Sequence, residues 1–86
     1  MGQYTVVFLP DAEQELASIW ENADDRSRVT HAADLVEGIL RSEPTSQAVF
    51  LSEDLWRVEV DRLRFYFGIR EEDRIVEVSN VIRAAE

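Results

Sequence analysis

The sequence predicts an α+β domain with the element order β-α-α-β-β-β. Three observations predict it: a strand-like opening run, two helix-period apolar stripes that end at Pro44, and a charged hairpin leading into a Val-rich strand. The chain has 86 residues, 45% hydrophobic and 31% charged, which reads as one domain over 1–86 with no repeat, linker or low-complexity segment. A domain this small buries only about 60% of the surface that its unfolded chain exposes, so an interface with a partner, or a homodimer interface, adds useful stability.

Residues 3–9, QYTVVFL, alternate Tyr4, Val6 and Phe8 with Thr5, Val7 and Leu9. Both sides are largely apolar, which predicts a well-covered strand. Pro10 and Asp11 end it. Asp11 stands where a helix N-cap is expected, with Gln14 three residues on, as in a capping box. Ala12, Leu16, Ile19 and Trp20 share one face of a helix over about 11–22. Asp24 and Asp25 are placed to cap a second helix, whose stripe is Val29, Ala32, Ala33, Val36, Ile39 and Leu40. Residues 42–52, SEPTSQAVFLS, read as a loop with a short apolar run, either a strand or a segment tucked under the sheet. Its Val49, Phe50 and Leu51 are available to a partner.

Residues 55–69, LWRVEVDRLRFYFGI, read as a hairpin turning at Asp61-Arg62. That register sets Val60 against Leu63, Val58 against Phe65 and Trp56 against Phe67 on one face. Asp-Arg is a weak turn signal, so the matched apolar faces carry the assignment. A last strand over 74–83 continues the core parity with Val76, Val78 and Ile82. The same parity places Arg57 across from Tyr66 and Glu59 across from Arg64 on the opposite face, joined there by Ser79 and Arg83. Such pairs commonly finish a solvated sheet face. They also have the chemistry of a phosphate site, because guanidinium groups bind phosphate oxygens in pairs and a neighbouring carboxylate can accept a proton from a ribose 2′-hydroxyl.

Charge narrows the function classes. Eighteen acidic residues against nine basic ones, all Arg, give a formal net charge of −9, a field that repels nucleic acid at long range. Any contact with nucleic acid therefore needs a local Arg patch, and six of the nine Arg lie in residues 51–86. Cysteine is absent, so neither a disulfide nor a thiolate metal site is expected. Glu71-Glu72-Asp73 reads as a solvated turn, and neither a metal nor another cofactor is expected. His31 reads as a partly exposed helix residue, and Trp20 and Trp56 as core. No apolar run approaches membrane-spanning length and the N-terminus carries no leader pattern, so a cytoplasmic protein without membrane contact is expected.

From YTVVFLPDAEQELASIW through the helices to LWRVEVDRLRFYFGIREEDRIVEVSNVIR, the chain resembles the RelE/ParE superfamily of toxins from bacterial type II toxin–antitoxin modules. The resemblance rests on the opening strand followed by an Ala-x-x-x-Leu helix, the second helix closed by Pro, the LRFYFGI hairpin strand and the Val-rich strand ending in Arg. It implies a helical hairpin packed on one face of an antiparallel sheet. It also implies an antitoxin partner and a cellular target, either mRNA on the ribosome or DNA gyrase. By resemblance to the RNA-cleaving members, Arg64 matches the hairpin Arg that stabilises the scissile phosphate, Arg57 a basic residue on the preceding strand, and Arg83 an Arg ending the last strand. Glu59 stands where the RelE pattern has a lysine and is the candidate carboxylate of the set. The C-terminal Tyr or His segment of many such nucleases has no counterpart here. ParE-like members lack the nuclease residues and are associated with gyrase inhibition, and an inactive toxin-fold module is the third reading.

Overall fold

The computed structural model describes residues 3–84. Its elements are β1 (Thr5–Phe8), α1 (Pro10–Glu21), α2 (Arg26–Ser42), β2 (Val49–Ser52), β3 (Leu55–Val60), β4 (Leu63–Arg70) and β5 (Ile75–Arg83). The strands form one sheet in the order β1-β5-β4-β3-β2. The α+β class and the element sequence thus hold, with one strand added: the apolar run at 49–52 pairs with β3 as an edge strand. The sheet is antiparallel except for β1, which runs parallel to β5. The two helices between β1 and the other strands supply the crossover that parallel pairing requires. As an edge strand, β1 is less covered than its composition predicts. Val6 and Phe8 turn inward while Val7 stays exposed.

The α1 helix begins one residue earlier than the capping pattern predicts. Pro10 occupies its first turn, where the missing N–H costs nothing, and Leu9 is the N-cap residue with no side-chain hydrogen bond. The box expected of Asp11 and Gln14 does not form. Its other end is closed from outside, since Arg26 donates to the Trp20 and Glu21 carbonyls at 3.2 and 3.1 Å. Asp25 caps α2 as predicted, accepting from the Arg28 N–H at 3.3 Å.

The core lies between the helices and one sheet face. Ala12 of α1 and Val29, Ala32, Val36 and Leu40 of α2 meet Val58, Leu63, Phe65, Phe67, Val76, Val78 and Val81. Phe8 meets Phe65 edge to face, with ring centroids 6.4 Å apart. Trp56 packs against this core as expected. Trp20 does not belong to it, for it is 40% exposed.

The parity of β5 changes partway along. Phe67 pairs with Val78 but Tyr66 pairs with Asn80, so Ser79 is an extra residue on β5. This bulge reverses the faces beyond it. Val81, and not Ile82, enters the core, at 2% exposed against 47%. The Glu15 carboxylate of α1 accepts from the Val81 N–H at 2.7 Å and from Asn80 Nδ2 at 3.2 Å. It therefore satisfies the edge of β5 past the end of β1.

Candidate functional site: the open face of the β3–β4 hairpin

The hairpin turns on two consecutive residues in the left-handed region, Asp61 at φ 53° and Arg62 at φ 70°. Two positive φ values define the type I′ turn, whose twist matches that of the flanking strands, although Asn-Gly or Asp-Gly is its usual sequence. Outside contacts hold it. Arg28 of α2 grips the Asp61 carboxylate with both Nε, at 3.2 Å, and Nη2, and Ala84 N–H donates to the Arg62 carbonyl at 2.7 Å. The Arg28 bond holds the Asp61 carboxyl below the usual carboxylate range. Asp61 in turn raises the Arg28 guanidinium pKa.

The register is the one the sequence predicts, pair for pair from Val60–Leu63 to Trp56–Phe67. Arg57, Glu59, Arg64 and Tyr66 consequently share the sheet face that no helix covers. Arg64 Nε donates to Glu59 Oε1 at 3.1 Å, and both side chains remain substantially exposed. The Glu59 carboxylate, helped by the Tyr66 hydroxyl, raises the Arg64 pKa. Arg57, directly opposite Tyr66, is half-buried and makes no ion pair or side-chain hydrogen bond among the described residues. Arg57 and Arg64 are diagonal neighbours across the pair, about 7–8 Å apart by sheet geometry and within reach of one anionic group.

Two sequence-predicted positions are placed differently. Arg83 pairs with Leu63, a core-facing residue, so it lies on the helix side of the sheet and not beside Arg64. There it lines a mixed-charge cavity of about 350 Å³ with Arg28, Arg62, Asp24, Asp25 and Asp61. The Ser79 bulge is the cause, and Ile82 takes the place opposite Arg64. Ser79 itself bonds the Tyr66 carbonyl from its hydroxyl at 3.3 Å.

Sequence reasoning missed Arg28, Glu15 and Gly68 as supports of this face. Gly68 sits two residues beyond Tyr66 on β4, and a Cβ there would lie 2.9 Å from the Asp54 carbonyl oxygen, so only Gly admits the β2–β3 turn at that distance. Among the described residues no three His, Cys, Asp or Glu side chains converge as a metal site. No helix there is long and apolar enough to cross a membrane.

No protein-family model and no curated protein matches the sequence. Solved structures do. A chain of the RelBE2 toxin–antitoxin complex from Mycobacterium tuberculosis superimposes with a TM-score of 0.84 at 20% identity, covering 100% of this chain and 97% of that one. The isolated E. coli RelE toxin gives 0.65 at 20% identity over 96% and 86% of the two chains. A chain of the archaeal RelE–RelB complex from Pyrococcus horikoshii gives 0.63 at 15% identity over 96% and 97%. An α+β domain with one helix-covered sheet face and one open, arginine-bearing face is thus the class that the fold and the site define. Its fold is that of the RelE toxins.

Proposed function

We propose that this chain is the toxin of a type II toxin–antitoxin module and that it acts through the open hairpin face on the phosphate backbone of mRNA. The observation that carries the reading is Arg57, a half-buried residue that makes no ion pair or side-chain hydrogen bond among the described residues, set diagonally to Arg64. Two guanidinium groups on one open face, one of them without a protein partner among the described residues, match an anionic ligand. In the cleavage reaction Glu59 accepts the 2′-hydroxyl proton, the 2′-oxygen bonds to the adjacent phosphorus, and the bond from phosphorus to the 5′-oxygen breaks, with water protonating the leaving oxygen. Arg57 and Arg64 balance the charge that gathers on the phosphoryl oxygens. Arg64 engages Glu59 through Oε1, which leaves the other carboxylate oxygen to take the proton.

One observation favours a second target. The net charge of −9 opposes approach to ribosomal RNA, and a toxin of this fold that acts on DNA gyrase escapes that constraint. Primer extension on a translated reporter mRNA after induction separates the two. Cuts within codons are the expected result; growth arrest without cuts, accompanied by altered plasmid supercoiling, replaces the mRNA reading with the gyrase one. Co-expression of the product of the adjacent open reading frame is expected to restore growth.

A further inference from the structure

The register of the hairpin sets four side chains at the corners of a quadrilateral on the open face. Arg57 stands across from Tyr66 and Glu59 across from Arg64, so the two diagonals differ in kind. One joins the guanidinium groups of Arg57 and Arg64. The other joins the Glu59 carboxylate to the Tyr66 phenol, its positions about 7–8 Å apart by sheet geometry. Displacement at phosphorus runs in line, with the attacking and leaving oxygens on opposite sides and the charged phosphoryl oxygens between them. A proton acceptor and a proton donor at opposite corners, with cations at the other two, meet that demand.

Tyr66 is held for such a role. It is half-buried, and its hydroxyl reaches the Arg64 guanidinium. A guanidinium offers only hydrogens, so the phenol oxygen accepts from it and its own hydrogen stays available. Among the described residues none accepts that hydrogen. The β5 bulge lies directly opposite, since Tyr66 pairs with Asn80 and Phe67 with Val78, and the Ser79 hydroxyl bonds the Tyr66 carbonyl at 3.3 Å. Bulges re-aim neighbouring side chains, and this one ties β4 at Tyr66 itself.

We propose, on the reading of this face as an mRNA-cleaving site, that Tyr66 is its general acid and donates the phenol hydrogen to the departing 5′-oxygen in place of water. As the bond from phosphorus to the 5′-oxygen breaks, the phenol O–H bond breaks with it and the hydrogen passes to that oxygen. The products are a 2′,3′-cyclic phosphate and a 5′-hydroxyl. The phenolate then takes a proton from water, and Glu59 releases the one it accepted.

The test uses the whole protein with ribosomes carrying a synthetic mRNA of one mapped cut site, made with either oxygen or sulfur as the 5′-bridging atom there. The parent is expected to cut both. Tyr66→Phe keeps the ring and is expected to unfold cooperatively at nearly the parent's urea midpoint. On the oxygen mRNA it is expected to cut about 100-fold or more slowly. The sulfur-bridged mRNA is expected to restore most of that loss, because thiols are far stronger acids than alcohols and a thiolate departs without a proton. Glu59→Gln is expected to cut both slowly, since each needs the 2′-hydroxyl proton removed. Equal losses by Tyr66→Phe on the two substrates would make Tyr66 a support of Arg64 and overturn the proposal. So would a Tyr66→Phe rate near the parent's on the oxygen mRNA, which would leave the residue a passive ring. Either result leaves the mRNA reading standing, whereas a parent that cuts neither substrate would overturn both together.

Discussion

Glu59 and Arg64 face each other across the β3–β4 hairpin, joined by an Nε–Oε1 bond of 3.1 Å on a sheet face that no helix covers. The pair is exposed, so folding depends little on it, whereas charge stabilisation at a reacting phosphate depends on its guanidinium. Arg64→Ala is therefore expected to keep a cooperative unfolding transition and to lower cleavage by roughly 100-fold to 1,000-fold, abolishing growth arrest. Arg57→Ala is expected to give a smaller loss. Full toxicity in a folded Arg64→Ala protein would leave this face as an ordinary solvated surface.

The bulge at Ser79 makes a prediction that the simple alternation of β5 reverses. Val81 is buried and Ile82 exposed, so Val81→Ala is expected to cost roughly 1–3 kcal/mol and Ile82→Ala less than about 0.5 kcal/mol. Urea midpoints of the two variants decide it. Similar midpoints would mean that β5 keeps an uninterrupted register.

What was legible followed from local period and matched faces. The β3–β4 register could be read because Trp56, Val58 and Val60 find Phe67, Phe65 and Leu63 at one turn length only, despite a poor turn dipeptide. The Asp25 cap could be read because N-capping is a three-residue interaction. The position of Arg83 could not, because it depends on a bulge stabilised by Glu15, 66 residues away from Val81, and no local pattern records such a contact. The covered strand expected at 3–9 and the buried Trp20 failed for a related reason. Apolar composition shows what can be buried, while the edge position of β1 and a groove beside α1 decide what is.

Gly68 is expected to tolerate no side chain. An added Cβ would meet the Asp54 carbonyl oxygen at 2.9 Å, and that contact is with backbone, so the β2–β3 turn must shift. Gly68→Ala is expected to cost roughly 1–3 kcal/mol, read as a lower urea midpoint at unchanged slope. A variant as stable as the parent would show that the turn yields freely.

The edge strand β2 exposes Val49, Phe50 and Leu51, with Phe50 at 59% and its ring packed edge-on to Trp56 at 5.2 Å. An uncharged apolar edge of this kind is a ready template for an added strand or an apolar partner segment. Val49→Lys combined with Leu51→Lys is expected to weaken the complex with the adjacent gene product by about tenfold or more while leaving the free protein folded. Unchanged affinity in a pull-down at graded concentrations would place the partner elsewhere.

Acid stability ties the hairpin turn to the helices. Asp61 is held below the usual carboxylate range first by its hydrogen bond from Arg28, and Asp25 by its bonds from the Ser27 hydroxyl and the Arg28 N–H. A carboxyl whose pKa is depressed by folding binds its proton more weakly in the native state than in the unfolded one, so its contribution is complete above the unfolded value of about 3.9. It is lost as the pH falls through the lower native value. The parent is thus expected to lose the part of its stability that these two carboxyls contribute as the pH falls below about 4. Arg28→Met removes the Asp61 partner but keeps the backbone N–H that Asp25 uses, so it is expected to flatten the acid limb in part, and Asp25→Ala to flatten a further part. Urea midpoints measured from about pH 6 to about pH 2.5 check this. Parallel curves for parent and Arg28→Met would mean that the Arg28–Asp61 bond contributes nothing in solution, and that the left-handed turn at Asp61-Arg62 is held by other contacts, the Ala84 hydrogen bond and strand pairing among them.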